Sequence, residues 1–239
     1  NAIEIKEIKK KYEKEKIFLH EAFMYMYHPQ ILKVIELIKQ NEIGQLISME
    51  SNFGMNILTK KNIFGFKKIK KLNTKQRIFN KELGGGVILD IGCYPVTIST
   101  LIASQISKID YDKVELKNIK KDIRSNEVEI NASMDIIFEN NFKSNIQASF
   151  TEKIGNKTSI IGKKGEIVIE DTWFAKPSII TIKKDHDKII NIDSAANIYS
   201  YEIDALSQCI LDNKIKPDFP GLTIDDIIGN MEIMDRWKK

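Results

Sequence analysis

Five apolar segments separated by short turns, all between 128 and 183, constrain this chain more than any other feature. Val128 to Phe138, Phe142 to Thr151, Thr158 to Ile161, Glu166 to Ile169 and Ser178 to Lys183 each read as a strand, and Leu46 to Phe53 adds an earlier one. Asn140-Asn141 and Lys164-Gly165 supply hairpin chemistry between runs. Strands joined this tightly pair antiparallel. Helical periodicity interrupts or closes the sheet after Gly84 to Gly86, around Tyr201 to Leu211, and from Ile224 to Trp237. The spacing therefore predicts an α+β fold over 45–239: a large, mostly antiparallel open sheet with flanking helices.

The first 44 residues follow a different rhythm. Residues 3 to 14 predict a helix with Ile3, Ile5, Ile8 and Tyr12 roughly on one side, and Lys16 to His20 predicts a short strand. Pro29 opens a second helix whose stripe is Ile31, Leu32, Ile35 and Ile38, with Gly44 as its left-handed cap. Helix, strand, helix is how the tail of a doubly wound α/β domain reads, so 1–44 is expected to be the remnant of such a domain. The loop from Asn56 to Glu82 is long, basic and aperiodic, and loops of that length are often functional.

Composition excludes several classes. No apolar run nears the roughly 18 residues that cross a bilayer, so no membrane partner is expected. The 37 basic and 33 acidic residues leave a net charge of +4. The lysine clusters at 9–11, 67–71 and 238–239 lack interleaved aromatics and read as solvated faces, not a nucleic-acid surface. Cys93 and Cys209 lie far apart, form no metal-ligand spacing, and read as reduced thiols of a cytoplasmic protein. An open sheet with one apolar face would have to cover it, which predicts a homo-oligomer.

The stretch whose residue types point to chemistry is LGGGVILDIGCYP, from Leu83 to Pro95. Three glycines admit close backbone approach, and Ile88, Ile91, Pro95, Ile98 and Ile102 form one helical face. Asp90 and Tyr94 are four apart and so share a side of that helix. A phenol can exchange the proton of an alcohol that loses hydride, provided a cation lowers its pKa from about 10, and a carboxylate can hold a hydroxyl. The plainer reading is a helix whose Asp and Tyr line an interface. The chain has no Gly-x-Gly-x-x-Gly or Gly-x-x-x-x-Gly-Lys spacing, and GKKG at 162–165 reads as a hairpin turn.

With its neighbours, this stretch resembles the signature of the Gfo/Idh/MocA oxidoreductases, in the branch of glucose–fructose oxidoreductase and dimeric dihydrodiol dehydrogenase. EAFMYMYHPQ (21–30) is similar to that family's strand-to-helix crossover, and NEIGQLISMESNF to its entry into the second domain. YEIDALSQCI, Pro217 and LTIDDIIGNMEIMDRWKK resemble its closing helices. The resemblance implies a Rossmann domain followed by an open sheet that packs subunits together. It implies an NAD- or NADP-dependent enzyme moving hydride to or from a pyranose sugar or cyclic diol. Tyr94 would exchange the proton with Asp90 beside it, and Arg77 and His28 would face a polyhydroxylated substrate. Phe23 and Tyr25 would border the nicotinamide, and Trp173 would either wall the pocket or sit in the core. Two departures stand out: Met26 where the family carries Arg, and a Gly-rich phosphate turn and Glu-Lys-Pro motif that should precede Asn1. The chain is thus expected to lack the main cofactor site and to be inactive alone. The competing expectation is a non-catalytic sheet module for carbohydrate binding or dimerisation.

Overall fold

A computed structural model describes residues 1–61, 66–70, 73–124, 127–194 and 197–239. Its centre is an eight-stranded sheet built from β1 (Leu46–Gly54), β4 (Glu115–Ile123), β5 (Glu129–Ile137), β6 (Lys143–Ser149), β7 (Thr158–Gly162), β8 (Gly165–Ile169), β9 (Ile179–Lys183) and β10 (Lys188–Asn191). The spatial order is β10-β9-β8-β7-β1-β6-β5-β4. Only β1 and β6 pair in parallel, with Phe53 opposite Ala148; every other pair is antiparallel. A parallel neighbour needs a long crossover, and the chain between β1 and β6 supplies one that includes α3 (Cys93–Ala103). β2 (Thr59–Lys61) and β3 (Lys67–Ile69) form a separate antiparallel ribbon inside the loop expected to be aperiodic; residues 62–65 and 71–72 of that loop, and Lys71 of its lysine cluster, lie outside the described residues.

Alternation decides which face of the sheet is covered. Met49 and Phe53 of β1, Ile130, Met134 and Ile136 of β5, and Ile146 of β6 are buried beneath α3 and α5 (Ile224–Lys238). A buried Ser99–Ser144 hydroxyl pair at 2.6 Å ties α3 to β6. The other face carries Glu50, Asn52, Ser133, Asp135, Asn145 and Gln147, where Asn145 donates to Asp135 at 2.6 Å. Over β1, β5 and β6 this face is polar, because the pleat sends the polar half of these strands outward, whereas towards the β10 edge the same face also carries Ile161, Val168, Ile179 and the exposed Ile189. The open face is thus mixed, not the uniformly apolar surface on which the expectation of a homo-oligomer rested.

Three further expectations need correcting. Residues 16–20 form no strand: among the described residues no neighbour offers them a ladder, and Lys16 is instead a left-handed cap (φ 51°) closing α1 (Ala2–Glu15). The buried side of α1 is Ala2 and Tyr12, with Ile3 71% exposed, because α1 lies on α5 through Lys6–Glu232 (2.5 Å) and Lys9–Asp225 (2.7 Å). Helix α2 (Pro29–Lys39) ends not at Gly44 but at Asn41 (φ 56°). There Glu42 N–H bonds Leu37 O and Asn41 N–H bonds Ile38 O, the paired bonds of a Schellman end. The helical stretch Lys81–Ala103 is also long and apolar enough to span a bilayer, but 83% of its apolar window is buried, as a core helix requires.

Candidate active site

The three glycines shape the ground on which the site stands. Gly84 (φ 69°) closes a 3-10 turn over Lys81–Leu83 in the left-handed region. A Cβ at Gly85 would come within 2.6 Å of the Arg77 and Asn80 carbonyls, so only glycine admits this approach. Gly85 N–H bonds Asn80 O at 2.8 Å and Gly86 N–H bonds Ile78 O at 2.9 Å, folding the Arg77 segment back against the helix that follows. The guanidinium of Arg77 thereby reaches the Asp90 carboxylate as an ion pair, with Arg77 55% and Asp90 17% exposed. The two residues expected to orient hydroxyls meet each other.

The helix head is irregular. Residues Ile88–Gly92 form a π-turn that passes into α3, so Asp90 and Tyr94 are separated by a wider turn than the α-helical reading assumed. Pro95 follows directly, and its missing N–H removes a bond that a regular helix would need at this point.

Tyr94 is half-buried in an aromatic cluster. Its ring meets Phe23 (5.2 Å), Phe53 (5.1 Å) and Trp173 (5.6 Å) edge to face, and Tyr25 (5.8 Å) at a tilt. Tyr25, wholly buried, donates its hydroxyl to the Tyr94 carbonyl at 3.4 Å. The Tyr94 hydroxyl itself meets only the Met24 sulfur, at 3.8 Å, among the described residues. Burial, reinforced by Cys93, Tyr199 and Asp90, pushes the Tyr94 phenol up to about 12. At neutral pH it is a neutral proton donor.

The remaining expected residues take other places. Trp173 is fully buried, stacks on Phe53 at 5.5 Å, and donates its indole N–H to the Asn52 carbonyl at 2.9 Å, which is the core position of the two foreseen. Phe23 and Tyr25, 4% and 0% exposed, lie against the Tyr94 ring and offer no free face to a dinucleotide. His28 caps α2, its Nδ1 accepting the Gln30 N–H at 3.1 Å, and burial lowers its pKa. It also lines a cavity of about 410 Å3 with Phe174 and Tyr199. Phe174 touches Phe53 at 5.9 Å, so cavity and aromatic cluster adjoin.

Two features escaped the sequence. Glu21 is raised to about 7 by burial, with His20 opposing, and its charge reaches Cys93 and Tyr25. His20 pairs with Glu202 of α4 (Tyr199–Leu211) at 3.0 Å, both nearly buried. Their place in the EAFMYMYHP crossover was the available signal for the first; nothing local announces a pair 182 residues apart.

Comparison with known proteins then places the chain. The model of the GFO/IDH/MocA C-terminal domain matches residues 31–168, more than half of it. A trans-1,2-dihydrobenzene-1,2-diol dehydrogenase of Xenopus tropicalis is 25% identical over 98% of this chain and 66% of its own length. An NADP-dependent D-xylose 1-dehydrogenase of Hypocrea jecorina is 32% identical over 35% of the chain and 20% of its own. In structure, an aldose-aldose oxidoreductase from Caulobacter crescentus, complexed with glycerol, aligns with TM-score 0.79 and 17% identity over 99% of this chain and 65% of that one. A 3-ketoreductase from Actinomadura kijaniata, with NADP and TDP-benzene, aligns at 0.78 and 17% identity over 98% of this chain and 66% of that one. The chain thus spans slightly less than two-thirds of the length of the diol dehydrogenase it matches.

Proposed function

The chain belongs to the GFO/IDH/MocA family of oxidoreductases, and on that premise we propose that it forms the substrate-binding part of an enzyme interconverting a hydroxyl and a carbonyl on a pyranose sugar or cyclic diol. Nicotinamide dinucleotide, NAD or NADP, supplies the hydride in this reading. The described residues do not fit it as a cradle, since the sequence has no Gly-x-Gly-x-x-Gly turn and Phe23 and Tyr25 are buried. This chain's share is the proton and the substrate.

Tyr94 carries the reading. Four rings clamp it while its hydroxyl has, among the described residues, no partner better than a thioether, so the group is held in place and left available. A neutral phenol suits carbonyl reduction, in which it gives its proton to the substrate oxygen. In alcohol oxidation it would have to act as a base, which requires a cation to lower its pKa. The Asp90–Arg77 pair, half open to solvent, orients neighbouring hydroxyls, with the carboxylate accepting and the guanidinium donating. The cavity beside His28 receives the rest of the ring.

The test measures turnover of pyranoses and cyclic diols with NAD and NADP, in the isolated chain and in the chain joined to a dinucleotide-binding domain. The isolated chain should be inactive and the joined one active. Tyr94→Phe in the joined form should lower turnover by roughly two orders of magnitude or more with the fold intact by circular dichroism. Undiminished turnover in that variant would remove Tyr94 from the chemistry.

A further inference from the structure

The cavity beside His28 is rich in hydrogen-bond donors and holds no carboxylate among its described lining residues. Several of its acceptors are already occupied. His28 Nδ1 takes the Gln30 N–H, which leaves the proton of the neutral ring on Nε2. Asn197 Oδ1 takes the Tyr199 N–H at 3.1 Å, and its amide NH2 is left as a donor. Ser194 and Tyr199 add hydroxyls, and the amino-terminal turn of α4 begins at the rim, with Ile198 as a cap that provides no side-chain acceptor. Lys176 is the one charged group among the described lining residues; it is exposed, with no ion-pair partner among the described residues, and no Asp or Glu lines the space. Phe174 and Tyr199, 38% and 52% exposed, present apolar edges to a ring.

Open N–H and O–H donors, a free cation, a helix amino terminus and no carboxylate together form a site for negative charge. We propose that this cavity holds an oxyanion of the substrate, a phosphate or carboxylate away from the reacting hydroxyl, and that Lys176 is the residue that selects for it. The proposal rests on the oxidoreductase reading only in naming the ligand a substrate; binding itself needs no turnover. The volume, about 410 Å3, falls in the range of small-molecule sites.

Isothermal titration calorimetry on the chain with glucose, glucose 6-phosphate and glucuronate separates the outcomes. One anionic sugar should bind at least about tenfold more tightly than glucose, a preference that Lys176→Met erases and Lys176→Arg keeps. Which anion is preferred, phosphate or carboxylate, identifies the source of the charge. Because Lys176 is exposed, the Met variant should fold as the parent does, which circular dichroism checks. Equal affinity for all three sugars, no binding up to about 10 mM, or a preference that survives Lys176→Met would each overturn the proposal. An anion preference in a protein whose joined form turns over none of the sugars or diols with NAD or NADP would sink the oxidoreductase reading and spare this one.

Discussion

Replacing Glu21 by Gln should make the fold more stable at pH 8 while changing little at pH 4. Glu21 is half-buried, has no hydrogen-bond or ion-pair partner among the described residues, and has its pKa raised from 4.5 to about 7, with burial the main cause and His20 opposing. Between those two values the folded chain binds this proton more tightly than the unfolded chain. Stability from Glu21 is therefore complete below about pH 4.5 and is lost as pH rises through about 7. The displacement corresponds to about 3 kcal/mol at 1.36 kcal/mol for each tenfold change in proton affinity, trimmed to roughly 2–3 by the solvent that reaches the carboxyl. Urea unfolding of both proteins at half-unit steps from pH 4.5 to 8.5 provides the measurement. His28 works in the opposite sense: burial depresses its pKa, so acid favours the unfolded state, but both proteins carry it and it cancels in the difference. The free-energy gap between variant and parent should open by about 2–3 kcal/mol across this range. Two curves that stay parallel would show that Glu21 is not held in a desolvated place.

Two other substitutions probe the packing. Trp173→Ala should cost about 3–5 kcal/mol in denaturant unfolding, and Trp173→Phe about 1–2, since the stack on Phe53 survives while the Asn52 carbonyl loses its donor; a cost under about 1 kcal/mol for the Ala variant would return Trp173 to the pocket wall. Gly229→Ala would favour an isolated helix by about 1 kcal/mol. In α5, however, the new Cβ would sit 2.3 Å from the Tyr111 ring, so a net loss of about 1–3 kcal/mol and a lower Tm are expected, and a raised Tm would contradict the packing of α5 on Tyr111.

The sheet was legible where its strands have one wet and one dry face. β5, with Ile130, Ala132, Met134 and Ile136 buried in alternation, declares itself. β4 does not: at the sheet edge most of Glu115–Ile123 is exposed on both sides, so no period of two is written into it, and β10 at the other edge behaves alike. The site divides along a similar line. Asp90 and Tyr94 could be singled out as candidates because their spacing is local. The Arg77–Asp90 pair depends on how three glycines fold the backbone, and His20–Glu202 on the packing of α4, neither of which any local period encodes. The π-turn was hidden for the same reason: LDIGCYP reads as plain helix, and the close packing of Gly92, whose added Cβ would stand 3.0 Å from Trp237, is a tertiary contact that no local period encodes.

The rings that hold Tyr94 are also the rings that close the core. Phe23, Tyr25, Phe53 and Trp173 are all under 5% exposed, and they come from the crossover, from β1 and from the segment after β8. A change to any of them moves stability and Tyr94 at once, because a close-packed interior passes a shift at one side chain to its neighbours. Freedom to alter what the proposed site accepts, without unfolding it, is left to groups outside the cluster: Arg77 on the turn before the glycines, and Lys176 and Tyr199 at the cavity rim. These three are exposed, and none of their side chains belongs to the buried core. On the proposed function, substrate preference in the chain joined to a dinucleotide-binding domain should therefore respond to rim substitutions at nearly constant Tm, whereas substitutions at the four buried rings should lower Tm and turnover together.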